Sequence, residues 1–192
     1  MKNSFYSRDE LLGMGFKKLG KNVLISKLAM IYNANLIEFG NHVRVDDFCV
    51  LAGKLVFGSY IHVGVHSRIQ GSTVGIYLKD FSGVSYNTTI IASTDDYSGE
   101  FLTNPMVPIE YRKTFPNPVV LEKHSLVATH CIVLPGVTIG EGAAVGSMSL
   151  VNKNVDPFTI VCGVPAKKLK DRSRRLLKLE EQFKASGKCE LE

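Results

Sequence analysis

Two features that often place a sequence quickly are missing from this one: a paired-cysteine motif and a long apolar run. Cys49, Cys131, Cys162 and Cys189 stand far apart with no CxxC pair, which excludes a zinc knuckle and a thioredoxin-like motif. They are expected to be reduced, three of them buried as small apolar residues. No apolar stretch approaches the ~18 residues of a membrane helix, and the opening MKNSFYSRDE lacks the apolar core of a secretory signal. A cytoplasmic protein with no integral membrane segment is therefore expected. At 192 residues and 21.1 kDa the chain supports one compact body and is short for two domains. A hydrophobic fraction of 45%, a charged fraction of 21% and a mean hydropathy of +0.07 exclude the disordered and membrane-embedded classes.

A net charge of +5 suggests nucleic acid until it is located. Between Lys167 and Lys188 nine basic residues face three acidic ones, so the whole excess belongs to one C-terminal segment. Its apolar residues recur at Leu169, Leu176, Leu179 and Phe183, a spacing that predicts an amphipathic helix ending near Gly187. The charge then serves either as a solvated helix face or as a contact to a phosphate-rich ligand, and no nucleic-acid partner is expected.

The strongest signal is a repeat. Every sixth residue from Phe39 reads Phe39, Val45, Leu51, Phe57, Val63, Ile69, and every sixth from Leu121 reads Leu121, Val127, Val133, Ile139, Val145, Val151. At the chain's own hydrophobic fraction, twelve successive apolar hits have a chance of roughly one in ten thousand. Shorter stretches keep the period in shifted frames: Ile25, Ile31, Ile37 and Leu78, Val84, Ile90. Small residues often follow the apolar position, as in Phe57-Gly58 and Val145-Gly146, which suits a tight bend after each short strand. Three hexapeptides make one triangular coil, so residues 18 apart stack: Phe39 on Phe57, Val45 on Val63, Leu121 on Ile139, Val127 on Val145. About six coils at ~4.8 Å each form a prism some 30 Å tall.

With these repeats the sequence resembles the hexapeptide-repeat acyltransferases, whose fold is the all-β, left-handed parallel β-helix; the hand is implied by the resemblance. The most specific run is Leu134-Pro135-Gly136-Val137-Thr138-Ile139-Gly140-Glu141-Gly142, then Val145-Gly146 and Gly163-Val164-Pro165-Ala166-Lys167. It is similar to the closing signature of the galactoside, maltose and xenobiotic acetyltransferase branch. The run Ala92 to Glu100 resembles the galactoside-type or polysaccharide-linked O-acetyltransferases. Three parts are expected: an N-terminal helical cap over 1–22, with a capping box from Ser7 to Glu10, the β-helix over 23–166, and a basic C-terminal helix and tail over 167–192.

From 92 to 118 the period vanishes, and four of the seven prolines gather there with Tyr97, Phe101, Tyr111 and Phe115. A long irregular excursion that leaves the repeat intact on both sides is expected to be functional. The resemblance implies that it folds over a crevice between subunits of a homotrimer, where acceptor and acyl thioester meet. There a base must take a proton from the acceptor while donors hold the developing oxyanion. In the family that base is a histidine following a threonine at the start of the loop; here the matching pair is Thr94-Asp95. A carboxylate, with an ordinary pKa near 3.9, is a weak base unless burial or a neighbouring carboxylate such as Asp96 raises it. Three alternatives stand: Asp95 is a tuned base, a histidine elsewhere has the role, or the acceptor is an amine. Thr94 and Tyr97 are the expected acceptor contacts.

Among the histidines, His42, His66, His124 and His130 fall at turns, with His66, Asn87 and His130 along one edge, whereas His62 points outward from a flat face and is the alternative catalytic residue. Their spacing does not match the three converging histidines of the γ-class carbonic anhydrases, so no metal is expected. For the acetyl-CoA co-substrate, the resemblance implies Ala128, Gly146 and Ser147 beside the pantetheine arm and Lys153, Lys167 and Lys170 near the phosphates, with salt-sensitive contacts. The expected activity is acetyl-CoA-dependent O-acetylation of a saccharide hydroxyl in surface polysaccharide biosynthesis. The alternatives are N-acetylation of an amino sugar, often nucleotide-linked, and a non-catalytic β-helix assembly subunit.

Overall fold

A computed structural model describes residues 4–187. Three sheets wrap a single column of side chains as a left-handed parallel β-helix. Sheet 1 is built from Lys18–Leu19, Ile37–Phe39, Leu55–Phe57, Ile76–Leu78, Val119–Leu121 and Thr138–Ile139. Sheet 2 takes Val23–Ile25, Val43–Val45, Ile61–Val63, Gly83–Val84, Leu126–Val127, Ala144–Val145 and Thr159–Cys162, and ends on Lys167–Asp171. Sheet 3 takes Met30–Tyr32, Val50–Ala52, Arg68–Gln70, Thr89–Ile91, Ile132–Val133 and Leu150–Val151. The expected stacks are in register: Phe39 pairs with Phe57, Val45 with Val63, Leu121 with Ile139 and Val127 with Val145.

All twelve period-six residues are buried. Removing each aliphatic side chain from water contributes ~1.5–3 kcal/mol. The rings of Phe39 and Phe57 stack at 4.8 Å and 16°, and Phe16 closes the ladder edge-on to Phe39 at 5.2 Å. The core therefore grows by one rung per coil, and each rung touches only its neighbours.

The bends are not made as the glycine pattern suggests. Left-handed backbone falls three residues after the inward position, mostly on non-glycine residues: His42, Tyr60, Phe81 and His124 at one corner, all with φ between 56° and 60°, with Gly142 taking the place on the next coil at 62°. Side chains rarely adopt this conformation, but here the rings stack at 4.6, 4.8 and 5.1 Å, which offsets the strain. Gly58 answers a different demand. A Cβ there would strike the Asp80 carboxylate and lie 2.8 Å from the Asp80 backbone nitrogen.

Both ends depart from the expected boundaries. Helix α1 (Arg8–Gly13) caps the lower end through reciprocal bonds between Ser7 and Glu10, but the first sheet strand starts at Lys18, ahead of residue 23. At the other end, Lys167–Asp171 is a strand, where the leucine spacing predicts helix. It folds back antiparallel on Thr159–Cys162, and helix α2 (Arg175–Ala185) follows. Phe183 of α2 packs edge-on against Tyr60 at 5.3 Å and Phe81 at 6.3 Å. Glu180 meets His124 at 2.7 Å and Lys123 and Lys184 at 2.6 Å. The helix is thus clasped along the aromatic corner. Cys49 and Cys131 are buried as expected; Cys162 is half-buried because it follows inward Val161 and faces out, and Cys189 lies outside the described residues.

Candidate active site

The excursion is an ordered hairpin. Ser93–Asp95 pairs antiparallel with Thr114–Pro116, with Asp95 opposite Thr114 and Thr94 opposite Phe115. Asp95 is half-buried at its root, and Tyr97 projects with 88% of its surface exposed. Asp96 does not play the expected part of a repelling neighbour. Its carboxylate is buried and accepts bonds from Ser98 Oγ at 2.8 and 3.0 Å, Gly99 N at 2.9 Å, and Ser98 N and Phe101 N at 3.2 Å. Led by the Ser98 hydroxyl, these bonds outweigh desolvation and hold its pKa below the usual range, so Asp96 is a fixed anion that folds the turn. Beside the root lies an open hollow of about 420 Å³ lined by Asn33, Leu36, Ala52, Gln70, Thr73 and Ser93 among others. A larger hollow, about 510 Å³, sits on sheet 1 at the corner carrying Gly58, Asp80 and Lys123, away from the hairpin.

Sheet 2 carries the second group of residues. Outward-facing Arg44, His62, Gly83 and Leu126 form one column. His62 is half-exposed and its Nε2 lies 2.7 Å from Asp46 Oδ2, while Arg44 Nε donates to Oδ1 at 2.7 Å. Burial pushes the Asp46 carboxyl up, but the bonds to His62 and Arg44 outweigh it and keep the group ionised. The parallel column, one place past each inward residue, is Gly64, Ser85, Ala128 and Gly146, a strip of small residues. It runs on to Cys162, whose Cβ would touch a Cβ at Gly146 at 3.0 Å, and across the antiparallel pair to Lys167. Lys170 stands opposite Ile160 and extends the His62 column. Ser147 is exposed at the corner beside Gly146, and Lys153 lines a small hollow with Lys168.

The structure thus unites Ala128, Gly146 and Lys167 in one line, with Lys170 alongside, and places His66, Asn87 and His130 on one corner, each backbone N–H bonding the coil below. It does not unite Asp95 with His62: the full width of sheet 3 separates them. Ser85 was missed by sequence reasoning, although it follows Val84 as Ala128 follows Val127 and Gly146 follows Val145. Among the described residues no cluster of three or more His, Cys, Asp or Glu could hold a metal, and no helix is long and apolar enough to cross a membrane.

A narrow strip ending on lysines fits an extended arm terminated by phosphates, since small side chains let backbone amides approach it and ammonium groups hold the charge. A β-helix bearing this strip and a carboxylate-rooted hairpin defines an acyltransferase that draws on a coenzyme A thioester. The chain belongs to the hexapeptide-repeat acyltransferases. It is 41% identical over 181 residues, 93% of this chain and 94% of the relative, to dTDP-4-amino-4,6-dideoxy-D-glucose acyltransferase of Escherichia coli. Galactoside O-acetyltransferase of Escherichia coli strain K12 is 25% identical over 122 residues, 62% of this chain and 58% of that protein. Among solved structures, AntD, an N-acyltransferase from Bacillus cereus in complex with dTDP and 3-hydroxybutyryl-CoA, superposes with a TM-score of 0.93 at 46% identity, covering 96% of this chain and 98% of AntD. Variants of AntD at a serine and at an aspartate have also been solved, among them a serine variant holding dTDP-4-amino-4,6-dideoxyglucose and coenzyme A. No protein-family model matches the sequence.

Proposed function

We propose that this protein is an N-acyltransferase that moves an acyl group from coenzyme A to the amino group of a dTDP-linked amino sugar. The likeness to AntD carries the reading. Its varied serine and aspartate are ten positions apart, the spacing of Ser85 and Asp95 here. This favours the amino-sugar alternative over O-acetylation. The chemistry agrees: a neutral amine is already a nucleophile, so an aspartate in place of the family's histidine suffices to take its proton. The amine nitrogen bonds the thioester carbon, Asp95 accepts the proton, and collapse of the tetrahedral oxyanion breaks the C–S bond and expels the coenzyme A thiolate, which takes up the proton.

Within one protomer Asp95 and the strip lie on opposite sides of sheet 3, so the complete site joins the hairpin of one protomer to the strip of the next. A homotrimer supplies three such crevices. Ser85, Ala128 and Gly146 flank the pantetheine arm, with Ser147 at the corner beside them. Lys167 and Lys170 meet the phosphates, with Lys153 at the same end, and Thr94 and Tyr97 contact the acceptor.

The test is thiol release from acetyl-CoA and 3-hydroxybutyryl-CoA with dTDP-4-amino-4,6-dideoxyglucose and with hydroxyl sugars. Turnover is expected only with the amine, and Asp95→Asn should lower kcat by ~10²-fold at unchanged coenzyme A affinity. Turnover with hydroxyl sugars alone refutes the acceptor. Full activity in Asp95→Asn, with the loss appearing in His62→Asn instead, transfers the role of base to His62.

A further inference from the structure

The hairpin root contains a closed circuit of contacts that runs through Thr94 and Asp95, and four of its members, Asp96, Phe101, Lys113 and Phe115, have no part in the proposed chemistry. Asp96 accepts the Phe101 amide at 3.2 Å. The Lys113 ammonium lies over the Phe101 ring at 5.2 Å and over the Phe115 ring at 5.3 Å. Phe115 sits opposite Thr94 in the antiparallel pair. Thr94 is joined through Asp95 to Asp96, which closes the loop.

The circuit costs something to maintain. A buried carboxylate is stabilised only when its oxygens are matched by donors, and Asp96 collects five bonds from Ser98, Gly99 and Phe101 for the sake of one turn. A lysine held over two aromatic rings gives up rotamer freedom for cation–π attraction. Neither device serves the prism core, because the hairpin leaves the β-helix at Ala92 and returns before Val119. What both devices fix is the backbone on either side of Asp95 and Thr114.

We propose that Asp96 and Lys113 are positioning residues, acting as one frame that holds the Asp95 carboxylate where the acceptor amine must be deprotonated. The inference rests on Asp95 as the base. A misplacement of about 1 Å at a reacting group is enough to cost ~10²-fold in rate, so loosening either end of the frame is felt in turnover and leaves the strip on sheet 2 untouched.

Steady-state kinetics of Asp96→Ala, Lys113→Met, Lys113→Arg and the double variant Asp96→Ala/Lys113→Met test it, with thermal melts alongside. Asp96→Ala and Lys113→Met should each lower kcat about tenfold or more while KM for the acyl-CoA and the melting temperature stay near wild type. Lys113→Arg keeps a cation over the two rings and should restore turnover, which a general loosening of the loop would not allow. Because the two residues act through one frame, the double variant should be no slower than the worse single variant. Wild-type turnover in either single variant, a loss that Lys113→Arg fails to rescue, or losses that multiply in the double variant overturn the proposal. Failure of the underlying functional reading is distinct, because it shows as no acyl transfer to the amino sugar by the wild-type protein.

Discussion

Truncating Phe39 to alanine tests whether the prism stands as a stack of semi-independent rungs. Phe39 is fully buried, stacked on Phe57 and capped edge-on by Phe16. Removing a buried phenylalanine costs ~3–5 kcal/mol, of which the two ring pairs account for ~1–3 kcal/mol. For a chain of this size each kcal/mol lowers Tm by ~2–4 °C, so a fall of about 6–20 °C is expected. The distribution matters more than the size. Sheet order places the strand Ile76–Leu78 two rungs above Ile37–Phe39, with Leu55–Phe57 between. The damage should therefore stay below the coil that carries the hairpin. Peptide-resolved hydrogen exchange is the assay. Amides between Val23 and Phe57 should exchange much faster in Phe39→Ala while those between Leu126 and Val151 keep wild-type protection. Uniform acceleration along the chain, or a Tm change under about 2 °C, would refute the rung-by-rung account.

Acidification should release α2. Burial raises the Glu180 pKa, but Lys123, Lys184 and His124 outweigh it and hold the group at about 2, below its ordinary 4.5. A depressed carboxyl stabilises the fold above the ordinary value and loses that contribution as pH falls toward the folded one. Protection of the helix amides should thus decline between about pH 4.5 and 2, and Glu180→Gln should abolish that dependence; an unchanged profile in the variant would assign the release to another group. Lys167→Ala and Lys170→Ala should each weaken coenzyme A binding by ~1 kcal/mol or more at low salt and less at high salt; calorimetry showing no salt dependence would remove the lysines from the phosphate site. Sedimentation at micromolar concentration should show a trimer, and a stable monomer would defeat the composite site.

The period-six pattern was legible because each coil repeats the same demand for an apolar residue on every face, but a second inward residue two places earlier on sheets 1 and 2, such as Val43, Leu55, Ile61, Ile76 and Val119, is buried as well and lay outside that pattern. The hairpin was legible as an interruption. Three further things were not. The strand Lys167–Asp171 has apolar spacing that fits a helix as well, and only the exposed edge of Thr159–Cys162 recruits it into the sheet. Asp96 reads in sequence as a second carboxylate beside Asp95, and only the fold of the turn shows its oxygens committed to Ser98, Gly99 and Phe101. The glycine pattern accounts for few of the bends: Gly142 takes one left-handed corner, but stacked rings at His42, Tyr60, Phe81 and His124 carry it on the coils below, an energy term that no single residue reveals.

The folded-back strand at the top of sheet 2 has a bearing on the protein's life in a crowded solution. A parallel stack of coils ends in a row of unpaired backbone groups, which is a template for another copy to add head to tail and for filaments to grow. Here the edge of Thr159–Cys162 is already taken by Lys167–Asp171, a strand that runs the wrong way to continue the coil, is exposed at every residue and is rich in lysine. At the opposite end Arg8 of α1 bonds the carbonyls of Leu19 and Gly20 at 3.1 and 2.5 Å. The same lysines proposed to greet a cosubstrate therefore also terminate a polymer before it starts, and a variant chosen to weaken one duty should be watched for the other.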